Sequence, residues 1–233
     1  MSFAILLAVV ASGPSVLFVG NSYTAANGGL SGMVEQIYES VEPDTLTVEQ
    51  LTTGGACFED HWNNQSVREE ILTGQWDTVI FQEQSCMPVI APARTYTFGD
   101  SLAWLTEAAG CNPVFLMTWA RKNDPLMLEG LRAGYSRMGA VHGSPVAPCG
   151  IAFELVRTGH PEINPYSTDG AHPSLQGSYL AACVIAATVY GIDLTAAWVW
   201  QPAEVSIEDG EILRLVADLA CSSYLQPGGG VSQ

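Results

Sequence analysis

The chain alternates short apolar runs with longer stretches of helical periodicity, and this alternation constrains its fold more than any other feature. Strand-like runs recur at residues 16–20, 46–51, 78–82, 113–118 and 145–148. Helical patterns lie between and after them, at residues 28–40, 58–72, 95–110, 126–143, 175–191 and 206–225. Such alternation is typical of a parallel sheet that helices cover on both faces. The sequence therefore predicts an α/β fold.

We expect one domain over residues 14–225 of the 233-residue chain. Residues 1–13 carry an apolar run of a length that suits a signal peptide and is too short to span a bilayer. An apolar N-terminal tail or a first strand is the alternative interpretation. We expect export, to the periplasm or the medium, rather than a cytoplasmic location. The turn-rich residues 226–233 predict a disordered tail.

Charge and composition exclude several classes of function. The 24 acidic and 8 basic residues give a formal net charge of −16, which argues against nucleic-acid binding and against attraction to anionic membranes. Outside the N-terminal run, no segment is apolar enough for stable membrane insertion. The six cysteines show no metal-like spacing, and no G-x-G-x-x-G follows the first strand. We therefore expect no metal and no cofactor, and the pattern predicts no particular oligomeric state.

Polar residues follow three successive strands of the predicted sheet. They are NSYT at 21–24, TTGGA at 52–56 and QEQS at 82–85. In open parallel sheets, ligands bind at the carboxyl ends of the strands. A serine, a glycine pair and two amide side chains at neighbouring strand ends therefore indicate a candidate site.

A serine nucleophile needs a base and an acid that orients the base. Ser22 follows the first strand, where a turn and helix-capping role is the structural alternative. Asp169 and His172 lie three residues apart in DGAHPS, and a turn there could direct both side chains to one side. An Asx-type turn with a capping histidine is the alternative for that pair. The other histidines, His61, His142 and His160, favour packing or loop roles.

Two motifs resemble blocks of the SGNH/GDSL hydrolases. GNSYT at 20–24 is similar to the first block of that family, and DGAHPS at 169–174 is similar to its last block. The resemblance implies Ser22 as nucleophile, His172 as general base and then acid, and Asp169 as the orienting acid. It also implies a flavodoxin-like three-layer α/β/α fold with a five-stranded parallel sheet in the order 2-1-3-4-5. The resemblance covers roughly residues 15–191.

The same resemblance implies three donors for an oxyanion. The first is the backbone N–H of Ser22, and the second is a glycine N–H, for which we prefer Gly55 over Gly54. The third donor in the family is an asparagine of a G-x-N-D block, but here the strand ends in FQEQS. Because glutamine carries the same amide, Gln84 is the candidate and Gln82 the second choice.

Two further features border the predicted site. Trp119 follows the fourth strand and either lines the substrate pocket as an aromatic wall or packs in the core. Cys57 and Cys86 each follow a proposed oxyanion segment, so they form either a bracing disulfide in an exported protein or two free thiols.

Together these residues predict a serine esterase that hydrolyses carboxylic esters through an acyl-enzyme. We expect a small-molecule or carbohydrate ester as substrate. The sequence shows no long apolar lid, which favours short acyl groups such as acetyl on carbohydrate. One alternative is an acyltransferase that uses the same residues and passes the acyl group to a sugar hydroxyl. The other is a flavodoxin-like binding module without turnover.

Overall fold

The computed structural model describes residues 13–196 and 198–224. The predicted signal segment, apart from Gly13, and the predicted tail at 226–233 lie outside the described residues. Five parallel strands form one sheet in the order β2-β1-β3-β4-β5. They are β1 (Ser15–Gly20), β2 (Thr47–Thr52), β3 (Thr78–Phe81), β4 (Asn112–Leu116) and β5 (Val146–Ala147). The predicted α/β class and strand order are confirmed.

The helices follow the predicted pattern with some differences. They are α1 (Ser22–Ala25), α2 (Leu30–Val41), α3 (Phe58–Asn63), α4 (Gln65–Thr73), α5 (Met87–Ile90), α6 (Pro92–Ala108), α7 (Met127–His142), α8 (Cys149–Gly159), α9 (Leu175–Tyr190) and α10 (Ile207–Ser223). The sequence prediction lacks α1, α5 and α8. It also joins α3 and α4, which the structure separates at Asn64, where the backbone is extended and the side chain accepts the Ser66 N–H to cap α4.

Alternate residues of the central strand β1 face opposite layers of helices. Val16 and Phe18 pack in the core that holds α2, α8, α9 and α10. Leu17 and Val19 pack in the other core, with α3, α4, α6 and α7. All four side chains are buried, so shortening one of them to alanine should cost about 2–5 kcal/mol of stability. Among the described residues, no helix combines the length and hydropathy needed to cross a membrane.

Gly20 closes β1 where the chain passes close to its neighbours. A Cβ atom at this position would lie 2.5 Å from Thr24 Oγ1 and 2.9 Å from Gln82 Oε1. Only glycine therefore allows β1 to end against the turn that follows and against the end of β3. This close approach places residue 22 at the carboxyl edge of the sheet, beside the loops after β2 and β3.

Candidate active site

The β1–α1 junction is fixed by Asn21. Its side-chain oxygen accepts the Tyr23 N–H at 3.0 Å and so caps α1. Its side-chain nitrogen donates to the carbonyl of Ala56, in the loop after β2, at 2.9 Å. Its backbone N–H donates to the amide oxygen of Gln82, at the end of β3, at 3.0 Å. These three bonds hold the neighbouring Ser22 in a fixed position relative to both loops.

Ser22, His172 and Asp169 form a hydrogen-bonded row. Ser22 Oγ lies 2.8 Å from His172 Nε2, and His172 Nδ1 lies 2.5 Å from Asp169 Oδ2. The hydrogen bonds from His172 and from the Ala171 N–H hold the pKa of the Asp169 carboxyl below its usual value. An ionised carboxylate keeps the imidazole proton on Nδ1, which leaves Nε2 free to accept the Ser22 hydroxyl. The structure therefore brings the three predicted residues together.

The loop that carries Asp169 and His172 is anchored from both sides. Asp169 Oδ1 accepts the backbone N–H groups of Ala171 and His172, each at 2.9 Å. Trp119 Nε1 donates to the carbonyl of Ala171 at 2.9 Å. The backbone N–H of Lys122 donates to the carbonyl of Gly170, also at 2.9 Å. These bonds orient the imidazole before any substrate binds.

Trp119 lies beneath the site and not in it. The indole is fully buried and stacks between the rings of Tyr23 and Phe153, with ring centroids 4.7 Å and 4.0 Å away. The prediction that Trp119 lines the substrate pocket is therefore wrong, and the core-packing alternative holds. The side chain that does reach the pocket is Tyr23, whose ring also meets the edge of the His172 ring at 5.2 Å.

A cavity of about 160 Å³ opens at the hydrogen-bonded row. Its lining comes from the ends of four strands and from the His172 loop: Asn21, Ser22, Tyr23, Gly55, Gln84, Ser85, Arg121, Ala171 and His172. Grooves of up to about 410 Å³ lie elsewhere on the protein, but they share none of these residues. The chemistry of the lining, and not the size of a cavity, marks the candidate site.

Three donors at this cavity are available for a developing negative charge. The backbone N–H groups of Ser22 and Gly55 make no hydrogen bond with another described residue. Gly55 has a φ of +72°, a backbone conformation that favours glycine. The side-chain oxygen of Gln84 accepts the Cys86 N–H at 3.0 Å and its thiol at 3.3 Å. The Gln84 amide is therefore held in place, and its nitrogen has no partner within the described part of the chain.

The second choices do not fit this role. Gln82 is buried, and its oxygen accepts both the Asn21 N–H and the Thr24 hydroxyl. Its nitrogen donates to the carbonyl of Glu83. Both ends of the Gln82 amide are thus used in the scaffold, and Gly54 does not line the cavity.

Glu83 is a buried residue of the site that sequence reasoning missed. Its Oε1 accepts the backbone N–H of Phe58, at the start of α3, at 2.9 Å and that of Gln84 at 2.7 Å. Burial raises the pKa of the carboxyl from 4.5 to about 7, against the effect of the two N–H donors. Glu83 therefore joins the loops that supply Gly55 and Gln84. The only sequence signal that points to Glu83 is its position as an acidic residue at the end of an apolar run.

The cysteines and the other histidines have structural roles. All six cysteines are unpaired, so Cys57 and Cys86 are two free thiols. His61 is buried, and burial lowers its pKa. His142 contacts Glu107 and Asp100, and His160 contacts Glu162. Across residues 13–196 and 198–224, no three His, Cys, Asp or Glu side chains are grouped so that they could hold a metal ion.

Several solved structures share the fold of this chain. A protein from Slackia heliotrinireducens assigned to the SGNH hydrolases is 27% identical, with a TM-score of 0.63 over 75% of this chain and 98% of its own. This likeness supports an SGNH/GDSL-like family. A DUF4886 family protein from Bacteroides uniformis superposes on this chain with a TM-score of 0.72 at 18% identity, over 90% of this chain and 95% of its own.

An esterase shares the fold at lower similarity. A variant of an acetyl xylan esterase from Geobacillus stearothermophilus has a TM-score of 0.58 at 18% identity, over 76% of this chain and 93% of its own. No protein-family model and no curated protein matches the chain. The structural likeness and the hydrogen-bonded row thus lead to the same family as the two sequence motifs.

Proposed function

We propose that this protein is a serine esterase that hydrolyses carboxylic esters with short acyl groups through an acyl-enzyme. The observation that carries the proposal is the row from Asp169 through His172 to Ser22, which ends in a small cavity with three free hydrogen-bond donors. The likeness to an acetyl xylan esterase supports the same class of reaction.

In the proposed reaction, Ser22 Oγ attacks the ester carbonyl carbon while His172 Nε2 takes the hydroxyl proton. Asp169 stabilises the imidazolium that forms. The carbonyl oxygen becomes an oxyanion, which accepts hydrogen bonds from the N–H groups of Ser22 and Gly55 and from the Gln84 amide. When the carbon–oxygen bond to the alcohol breaks, His172 donates its proton to the leaving oxygen. The product of this half-reaction is an acyl group on Ser22.

Water completes the cycle. His172 Nε2 takes a proton from a water molecule, whose oxygen attacks the acyl carbon. The second oxyanion collapses, the bond to Ser22 Oγ breaks, and His172 returns the proton to the serine. The products are a carboxylic acid and the free enzyme.

The small cavity favours a short acyl group. At about 160 Å³, it suits an acetyl or propionyl group better than a fatty acyl chain. We therefore propose an acetylated small molecule or carbohydrate as the substrate class.

A fluorophosphonate probe, which phosphonylates activated serines, tests the proposal. We expect the wild type to be labelled on Ser22, Ser22→Ala to lose the label, and His172→Ala to be labelled at least 100-fold more slowly. His160→Ala is the matched control, because His160 lies outside the cavity and contacts Glu162. That variant should be labelled like the wild type.

Turnover of 4-nitrophenyl esters of increasing chain length tests the acyl preference. We expect kcat/KM to be highest for acetate and to fall by at least tenfold by hexanoate. A wild type that is not labelled, or a His172→Ala variant that is labelled as fast as the wild type, would exclude the esterase and favour a binding module.

A further inference from the structure

We propose that the active-site cavity selects esters that carry a carboxylate, which the guanidinium of Arg121 and the hydroxyls of Tyr23 and Ser85 bind. The inference rests on the proposed esterase function and names its substrate class more closely. All three side chains line the cavity that contains Ser22 and His172.

Arg121 is a cation without a carboxylate partner. Three other arginines, Arg94, Arg137 and Arg157, form ion pairs with acidic side chains. Among the described residues, no carboxylate oxygen lies within 4.0 Å of the Arg121 guanidinium, whose Nη2 lies 3.9 Å from the sulfur of Cys86. In a chain of net charge −16, this exposed guanidinium lines the cavity of the proposed nucleophile and can pair with an anionic group of the substrate.

Tyr23 carries a buried hydroxyl that lacks a partner. The side chain is 4% exposed, and its oxygen makes no hydrogen bond of normal geometry with another described residue. Leaving a buried hydroxyl unpaired costs stability. Stacking on Trp119 keeps the ring in this position, with the side chain of Ser85 as its polar neighbour. A group that enters the cavity supplies the missing hydrogen bond.

Ser85 adds a second hydroxyl on the same wall. The residue is 5% exposed, and its side chain is close enough to Tyr23 to lower the pKa of the phenol, as Arg121 also does. Burial has the larger effect and raises the pKa of Tyr23, so the phenol keeps its proton and can donate at neutral pH. Two residues with hydroxyl groups and one with a guanidinium thus line the same cavity.

A carboxylate matches these donors better than a neutral group does. Arginine presents a planar fork of N–H donors that fits the two oxygens of a carboxylate. The net charge of the protein opposes an anion, but at physiological ionic strength charges beyond about 8 Å are largely screened. The nearby Asp169 carboxylate, bound to His172, keeps its negative charge and opposes an anion in the cavity. The proposal requires that the Arg121 guanidinium outweighs this repulsion.

Two matched pairs of esters test the inference. 4-Acetoxybenzoate and 4-acetoxybenzamide differ in the charge on the alcohol side, and the mono-4-nitrophenyl esters of succinate and succinamate differ in the charge on the acyl side. The spontaneous hydrolysis of each ester, which the succinate carboxylate accelerates by attacking its own ester carbonyl, is measured without enzyme and subtracted. We expect the wild type to prefer the anionic member of at least one pair by tenfold or more in kcat/KM. The pair that shows the preference locates the carboxylate on the acyl or the alcohol half of the substrate.

Substitutions assign the preference to residues. In Arg121→Gln, the anion-to-amide ratio of kcat/KM should fall at least tenfold, the effect expected of a hydrogen-bonded charge. In Tyr23→Phe, which keeps the ring stacked on Trp119, the ratio should fall at least threefold. Arg132→Gln is the matched control, because Arg132 is exposed and lines a different groove, and it should keep the wild-type ratio.

The outcomes separate the two proposals. If the wild type hydrolyses all four esters with ratios near one, or if Arg121→Gln keeps the wild-type ratio, the carboxylate subsite is wrong while the esterase stands. If no ester is hydrolysed and the fluorophosphonate does not label Ser22, both proposals fail.

Discussion

The buried carboxyl of Glu83 predicts a pH-dependent stability that one substitution should remove. In Glu83→Gln, an amide oxygen remains to accept the N–H groups of Phe58 and Gln84, but the side chain no longer ionises. We therefore expect the variant to fold with the same contacts and to differ from the wild type mainly in how its free energy of unfolding changes with pH.

The sign follows from the direction of the pKa change. The folded protein holds the Glu83 proton up to about pH 7, whereas the unfolded chain loses it near pH 4.5. The stability that this proton supplies is fully present below pH 4.5 and is lost as the pH rises through about 7. At 1.36 kcal/mol per pKa unit, the difference between about 7 and 4.5 corresponds to about 3 kcal/mol.

Urea unfolding followed by circular dichroism at pH 4, 6 and 8.5 measures this change. The stability of Glu83→Gln relative to wild type should increase by about 3 kcal/mol from pH 4 to pH 8.5. Every other titrating group is common to both proteins, so the difference isolates Glu83. The matched control is Glu204→Gln, at an exposed carboxyl, whose difference from wild type should stay constant. A constant difference for Glu83→Gln as well would refute the reasoning.

Three other substitutions test the site. Asp169→Asn should lower kcat for 4-nitrophenyl acetate by about 10³–10⁴, because an amide does not hold the His172 proton on Nδ1. Gln84→Ala should lower kcat by about 10²–10³ with a much smaller change in KM, as expected for an oxyanion donor. A fold change in KM as large as the fold change in kcat would argue against that role. Trp119→Phe keeps an aromatic ring in the stack but loses the bond to Ala171, so urea unfolding should show a loss of about 1 kcal/mol.

Local patterns were sufficient to predict the α/β class and most of the longer elements, whereas the strand order followed from the resemblance to a known family. A strand buried on both faces is apolar along its length, as in β1, and such a run is visible without knowledge of its neighbours. Helix α8 was missed because β5 is only two residues long and Pro148 leads directly into Cys149. The break at Asn64 was missed because a capping asparagine lies within an otherwise continuous helical pattern.

The candidate site could be predicted only where its residues lie in short motifs. Ser22 follows directly after a strand. Asp169 and His172 are three residues apart in one turn, so the sequence alone places these two residues close to each other. The position of Trp119 depends on Tyr23 and Phe153, which are distant in the chain. Glu83 likewise depends on Phe58, 25 residues earlier. Contacts of this kind arise from tertiary packing, which periodicity does not encode.

The turn from Asp169 to His172 has a consequence for how the site can be assembled and disassembled. The proposed base and its orienting acid belong to one four-residue segment, which also supplies its own internal N–H bonds. A shift of this segment would carry both side chains together, so it would separate His172 from Ser22 without breaking the contact with Asp169. The row thus consists of Ser22 and of the segment that carries Asp169 and His172. Within the row, these two parts are connected by the 2.8 Å contact between Ser22 Oγ and His172 Nε2.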